Sequence, residues 1–105
     1  DNTSAAGFVV GDAMRAAAGL DLATLGVVLE KNGEVVGLGA GAAVLGHPAA
    51  SVAMLANMLA ARGEEIPAGT LVLTGGITEA VAVAPGDHIQ LRVQSIGAVS
   101  LRFVA

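Results

Sequence analysis

Cysteine, tryptophan and tyrosine are all missing from this 105-residue sequence, and Phe8 and Phe103 are its only aromatic side chains. Without thiols there is no disulfide, no thiolate metal site and no cysteine nucleophile. A cysteine-free chain suits a reducing compartment, so a cytoplasmic location is expected. With aromatics at 2% and a hydrophobic share of 54%, the core must be built from Val, Leu, Ile and Ala. The 15 glycines imply that some backbones in it pack unusually close together. Positive charge is scarce as well: Arg15, Lys31, Arg62, Arg92 and Arg102 are scattered, and the net charge is −4. A nucleic-acid surface needs a basic patch, which excludes that class.

Charge of either sign is absent between Glu34 and Arg62, a run long enough on paper to cross a bilayer at ~20 residues. Gly46-His47-Pro48 breaks that run in the middle, and Gly37, Gly39 and Gly41 stud its first half. No basic region precedes an apolar one at the N-terminus, and no membrane association is expected. The first residue is Asp1 rather than Met, which reads as a processed product or a piece of something longer.

The stretch from Glu30 to Gly63 organises the rest. Lys31-Asn32-Gly33 supplies a tight hairpin turn, because Asn and Gly tolerate positive φ. Residues 25–31 and 34–44 are its two strands, apolar on both faces and so expected to be covered on both sides. Pro48 suits the first position of a helix over 48–62, with Gly63 as its left-handed end. Val52, Leu55 and Leu59 form its stripe; the remaining faces are mostly Ala and Met, which predicts a central helix or one at a subunit contact.

Upstream, residues 1–12 allow a short helix capped by Asp1 or Ser4, or a strand over 7–10, and residues 12–22 read as a loop with a helical turn. Downstream, residues 70–73 read as a short buried strand running into Thr74-Gly75-Gly76. Pro85-Gly86 suits a type II turn. Ile89, Leu91 and Val93 alternate with His88, Gln90, Arg92 and Gln94; past a turn at Ser95-Ile96-Gly97, Val99, Leu101 and Phe103 alternate with Ser100 and Arg102. That is an antiparallel hairpin with one wet face. The expected class is α+β, a β-rich mixed sheet or roll with one central helix, in a single domain over 1–105.

Candidate chemistry is sparse. His47 has no sequence-near carboxylate partner, and capping the helix start is its better role. His88 belongs on the wet face of its strand, and Glu64-Glu65 is a solvated pair past the helix end. The carboxylates form no Glu-x-Glu or Asp-x-Asp cluster, so no divalent-metal site is expected from this chain alone. Gly37-x-Gly39-x-Gly41 lies inside a strand rather than between a strand and a helix, so close packing explains it better than a phosphate cradle. Two loops remain: Thr74-Gly75-Gly76, where a ligand could approach backbone N–H groups, and Asn2-Thr3-Ser4, with a carboxamide and two hydroxyls.

Many spaced motifs together carry a resemblance: Asp1-Asn2-Thr3-Ser4, Phe8-Val9-Val10-Gly11, Lys31-Asn32-Gly33-Glu34, Gly39-x-Gly41, Leu45-Gly46-His47-Pro48, Leu55-Ala56-Asn57, Leu73-Thr74-Gly75, Pro85-Gly86-Asp87 and Gly97-x-Val99-Ser100. In this order they resemble the C-terminal part of the 2-oxopent-4-enoate hydratase and 4-oxalocrotonate decarboxylase family, within the fumarylacetoacetase-like superfamily. The resemblance implies a lyase of aromatic meta-cleavage catabolism in which Mg²⁺ or Mn²⁺ chelates a small 2-oxo or 2-hydroxy dienoic acid. It also implies that the metal-binding glutamates and the catalytic lysine lie N-terminal to Asp1. Lys31 belongs to the hairpin turn and cannot replace that lysine. Asn2, Ser4, Thr74 and Gly75 are then substrate-binding candidates, with no catalytic or metal-ligating residue in this chain. Hydration of 2-hydroxypenta-2,4-dienoate to 4-hydroxy-2-oxopentanoate is the leading activity of the parent. Decarboxylation of 2-oxo-3-hexenedioate is the alternative, and a non-catalytic assembly fragment the third. A homo-oligomer, or association with a missing N-terminal portion, is expected.

Overall fold

The computed structural model describes residues 7–44 and 46–105. Its first hairpin joins β1 (Gly26–Lys31) to β2 (Glu34–Ala40). The turn between them has φ of 53° at Asn32 and 84° at Gly33, the doubly left-handed backbone that matches the twist of a two-residue hairpin. The second hairpin joins β3 (His88–Val93) to β4 (Gly97–Arg102). The two hairpins fuse through β1 and β3 into one sheet of order β2-β1-β3-β4. With a single helix beside it, the class is α+β. Where a mixed sheet was expected, every pairing is antiparallel. β3 runs against β1, as β2 does on its other edge, so no parallel pair forms among the described residues.

The alternation in the second hairpin holds through the pairing. Leu91 sits between Leu29 and Val99, and Val93 opposite Val27, which gathers the apolar side chains on one face. On the other face Gln90 lies opposite Glu30 and Ser100, and Arg92 Nη2 lies 3.9 Å from Glu30 Oε2. Val9, Gly11 and Ala13 run over the apolar face, lining an open hollow of about 220 Å³ with Leu91, Val93 and Val99. Arg15 pins this segment by donating from Nη1 to the Ser95 carbonyl at 2.8 Å. Residues 7–10 do not form the strand allowed for them, and the short helix capped by Asp1 or Ser4 falls on residues outside those described.

The helix α1 (Pro48–Ala60) starts as its residues dictate. His47 is the N-cap, and its Nδ1 accepts from the Ala49 N–H at 3.0 Å. That satisfies one of the orphan donors of the first turn. At the far end the chain tightens, Arg62 N donating to Leu59 O at 2.9 Å, and Gly63 turns left-handed at φ 74°. The continuous helix thus ends two residues earlier than expected. Its 13 residues rise only about 20 Å, well short of a bilayer core. Expected to be central or at a subunit contact, α1 buries none of its residues within this chain.

Two further expectations give way. The strand expected over 34–44 stops at Ala40, and Gly41–Ala43 forms a 3₁₀ turn instead, because this backbone bonds to the preceding loop: Gly41 N to Leu25 O and Ala42 N to Ala23 O. The cover expected on both sides of the first hairpin is absent among the described residues, for Val35, Val36 and Leu38 are exposed. Residues 70–73 join no ladder, and Leu71 and Leu73 are exposed rather than buried. They line an open hollow with Leu55 and Leu59 of α1.

A polar latch closes the sheet at the hairpin turn. Asn32 Nδ2 donates to Asp87 Oδ1 at 2.9 Å, and Asn32 Oδ1 accepts from His88 N at 2.9 Å. Asp87 Oδ2 accepts from Ala84 N and lies 3.6 Å from Lys31 Nζ. Asp87 N in turn donates to Ala84 O at 3.1 Å, closing the Pro85-Gly86 turn, in which Gly86 has φ 93°. The hydrogen bond from Asn32 first, then that from Ala84 and the charge of Lys31, hold the Asp87 carboxyl below its ordinary range. Its ionised form is therefore favoured in the folded chain. The contribution is fully present above the unfolded value of about 3.9 and is lost as pH falls through the lowered folded value. Asp87→Asn is expected to lower the thermal midpoint at neutral pH, with the gap to the parent narrowing below about pH 4. Melting curves across a pH series check this, and a gap independent of pH would remove the charge from the account.

Candidate functional site

The Thr74-Gly75-Gly76 loop is held from two sides. On one side, Ser51 in the second turn of α1 donates its hydroxyl to the Thr74 carbonyl at 2.9 Å, in a part-buried hydrogen bond. On the other, residues 77 and 78 press against the glycine backbone of β2. A Cβ at Gly39 would lie 2.7 Å from both the Ile77 carbonyl oxygen and its Cγ2, and one at Gly37 would lie 3.3 Å from Thr78 Cβ. The glycines of β2 are there so that this segment can lie directly on the strand, as the reading of close packing required. Gly41, counted then as part of the strand, occupies the 3₁₀ turn.

Between these anchors Gly75 has φ 122°, a backbone conformation that side chains of L-residues rarely adopt. Residues Val72, Leu73, Thr74, Gly75 and Gly76 line an open cavity of about 410 Å³. That is within the ~300–1,000 Å³ typical of small-molecule sites. The loop offers a hydroxyl and backbone N–H groups. What it can do chemically is donate hydrogen bonds to an anionic oxygen and orient it; it holds no group that moves protons at neutral pH.

Of the four binding candidates, Thr74 and Gly75 lie together on this cavity, and Asn2 and Ser4 fall outside the described residues. His47 is engaged in capping, as expected, and Lys31 is engaged with Asp87 and the Ala82 carbonyl. His88 gives its N–H to Asn32 on the half-buried start of β3. Glu64 and Glu65 are exposed past the helix end. Ser51 is not among the site candidates read from the sequence, although Ser51 and Asn57 stand out there as the only polar side chains of α1.

No three His, Asp or Glu side chains among the described residues come together in a way that could hold a metal ion. These residues do not fit a divalent-metal site.

The antiparallel sheet, the capped helix and the glycine-bound loop define a known domain. Residues 2–104 match the fumarylacetoacetate (FAA) hydrolase C-terminal family, and the chain belongs to that family. Within it, the chain is 66% identical over 104 residues to a 4-oxalocrotonate decarboxylase of Pseudomonas putida, covering 99% of this chain and 39% of the relative. It is 41% identical over 103 residues to a 2-hydroxyhexa-2,4-dienoate hydratase of Comamonas testosteroni, covering 98% of this chain and 39% of the relative. A solved 4-oxalocrotonate decarboxylase from Pseudomonas putida G7, complexed with magnesium and adipate, superposes with a TM-score of 0.77 at 73% identity. That match covers 81% of this chain and 32% of the solved one. The chain thus spans about two fifths of the length of the curated relatives it matches.

Proposed function

We propose that this chain forms the C-terminal part of a divalent-metal-dependent lyase acting on a small 2-oxo or 2-hydroxy dienoic acid. The observation that carries the reading is the 66% identity, across 104 residues, to a 4-oxalocrotonate decarboxylase. Two reactions divide the relatives. Hydration of 2-hydroxypenta-2,4-dienoate led on the sequence motifs, and hydratases stand at 41% and 39% identity. The larger identity to the decarboxylase favours loss of carbon dioxide from 2-oxo-3-hexenedioate, with hydration as the second reading. Within either, the part given to this chain is binding. Thr74 and Gly75 donate hydrogen bonds to the acid's oxygens, with Asn2 and Ser4 as further polar contacts. Metal ligands and proton-transfer groups come from polypeptide beyond these 105 residues. The working form includes that polypeptide, and a homo-oligomer; a cytoplasmic location accords with the cysteine-free composition.

The test is a chimera in which the C-terminal part of the Pseudomonas putida decarboxylase is replaced by this chain. With Mg²⁺ or Mn²⁺ it is expected to decarboxylate 2-oxo-3-hexenedioate, whereas the 105-residue chain alone gives no turnover. Hydration without decarboxylation would turn the assignment to the hydratases. A folded chimera inert towards both substrates would sink the lyase reading.

A further inference from the structure

Ser51 stands out on α1. A helical serine commonly folds its hydroxyl back onto the carbonyl four residues earlier, here that of His47. Instead its Oγ–H reaches across 23 positions of sequence to the Thr74 carbonyl at 2.9 Å. The Thr74–Gly75 peptide is trans, so its C=O and N–H point in opposite directions. A carbonyl fixed toward α1 therefore turns the Gly75 N–H away from the helix. Glycine at φ 122° imposes little barrier of its own, and this peptide could otherwise rotate freely. The hydroxyl of Ser51 is the one side-chain group among the described residues that bonds the loop.

We propose that Ser51 is a positioning residue. Its hydrogen bond to the Thr74 carbonyl sets the Thr74–Gly75 peptide so that the Gly75 N–H donates to an anionic oxygen of the substrate, a carboxylate or enolate. The proposal rests on the binding role given to Thr74 and Gly75 above and deepens it by naming what holds that donor in place. Ser51 touches no substrate atom itself. Removing its hydroxyl leaves the loop's composition intact and releases the orientation of one donor.

The experiment uses the same chimera with Ser51→Ala and Ser51→Thr. It reads kcat, KM, the Kd for adipate in the presence of Mg²⁺, and the thermal midpoint. Ser51→Ala is expected to raise KM and the adipate Kd roughly tenfold, the order expected for one lost hydrogen bond. kcat should change less, and Ser51→Thr, which keeps a hydroxyl, should restore binding. Unchanged binding by Ser51→Ala would overturn the proposal, as would weakening that merely follows the melting temperature and is not rescued by Thr. If the chimera binds adipate in a Ser51-dependent way yet turns nothing over, the positioning role stands and the lyase assignment fails. If it neither binds adipate nor turns over, both fall.

Discussion

Purified alone, the 105-residue chain is expected to self-associate as its concentration rises, and to bind a hydrophobic dye. Its accessible surface is 7453 Å². A folded monomer of its 10.2 kDa mass would expose about 5,300 Å². The excess of about 2,100 Å² is more than twice the ~800 Å² that one partner buries in a standard interface. Much of it is apolar: Met14 is 89% exposed, Leu38 70%, Leu71 59% and Met58 57%, whereas only Leu25, Val27 and Val44 form a buried core among the described residues. Covering even ~800 Å² of apolar surface gives about 20 kcal/mol gross, more than the ~4–15 kcal/mol that association costs. A net charge of −4 offers little repulsion against that. Sedimentation velocity over a concentration series checks it: the mean mass should climb above that of the monomer. A monomer at every concentration, with no dye bound, would mean that these faces need no cover.

Gly41→Ala is expected to be the most damaging single methyl group that can be added to this chain. A Cβ at that position would coincide with the Leu22 carbonyl oxygen. The neighbouring backbone cannot easily retreat, because Gly41 N donates to Leu25 O at 3.2 Å and Ala42 N to Ala23 O at 2.8 Å. Either those bonds break or the turn between Leu22 and Leu25 moves, and a loss of ~3 kcal/mol or more follows. For a domain of ordinary stability that is a large fraction of the total. Gly7→Ala is the control: nothing lies within 4 Å of its added Cβ. It should cost under about 0.5 kcal/mol. Urea midpoints of the two variants settle the point; equal values would contradict the close approach at Gly41.

What the sequence made legible was local. The Asn32-Gly33 turn, the His47-Pro48 start of α1, the left-handed Gly63 and the alternation from His88 to Arg102 each depend on residues that are neighbours in the chain or two to four apart. The errors lie where the outcome depends on distant chain. Residues 71–73 are apolar, and from sequence nothing distinguishes them from a strand; whether an edge receives them is decided elsewhere. The same holds for α1, whose apolar faces promised burial that the described residues do not supply. Glycine marked the Thr74-Gly75 loop, but its tether to Ser51 joins positions 23 apart, and the Asn32–Asp87 bond spans 55. Pairings of that kind leave no periodicity to read.

The fused hairpins have a kinetic meaning. β1 and β3 meet only after the whole of residues 41–87 has been looped out, whereas β1–β2 and β3–β4 close over short turns. Closing the long excursion costs more chain entropy than closing either turn, so the two ribbons can form early and dock late. Ser51, whose hydroxyl orients the Gly75 donor, is carried with α1 on that excursion. Its order is then a separate, weaker equilibrium laid over the sheet, and amide hydrogens there can exchange by local opening while those of β1 and β3 wait for global unfolding.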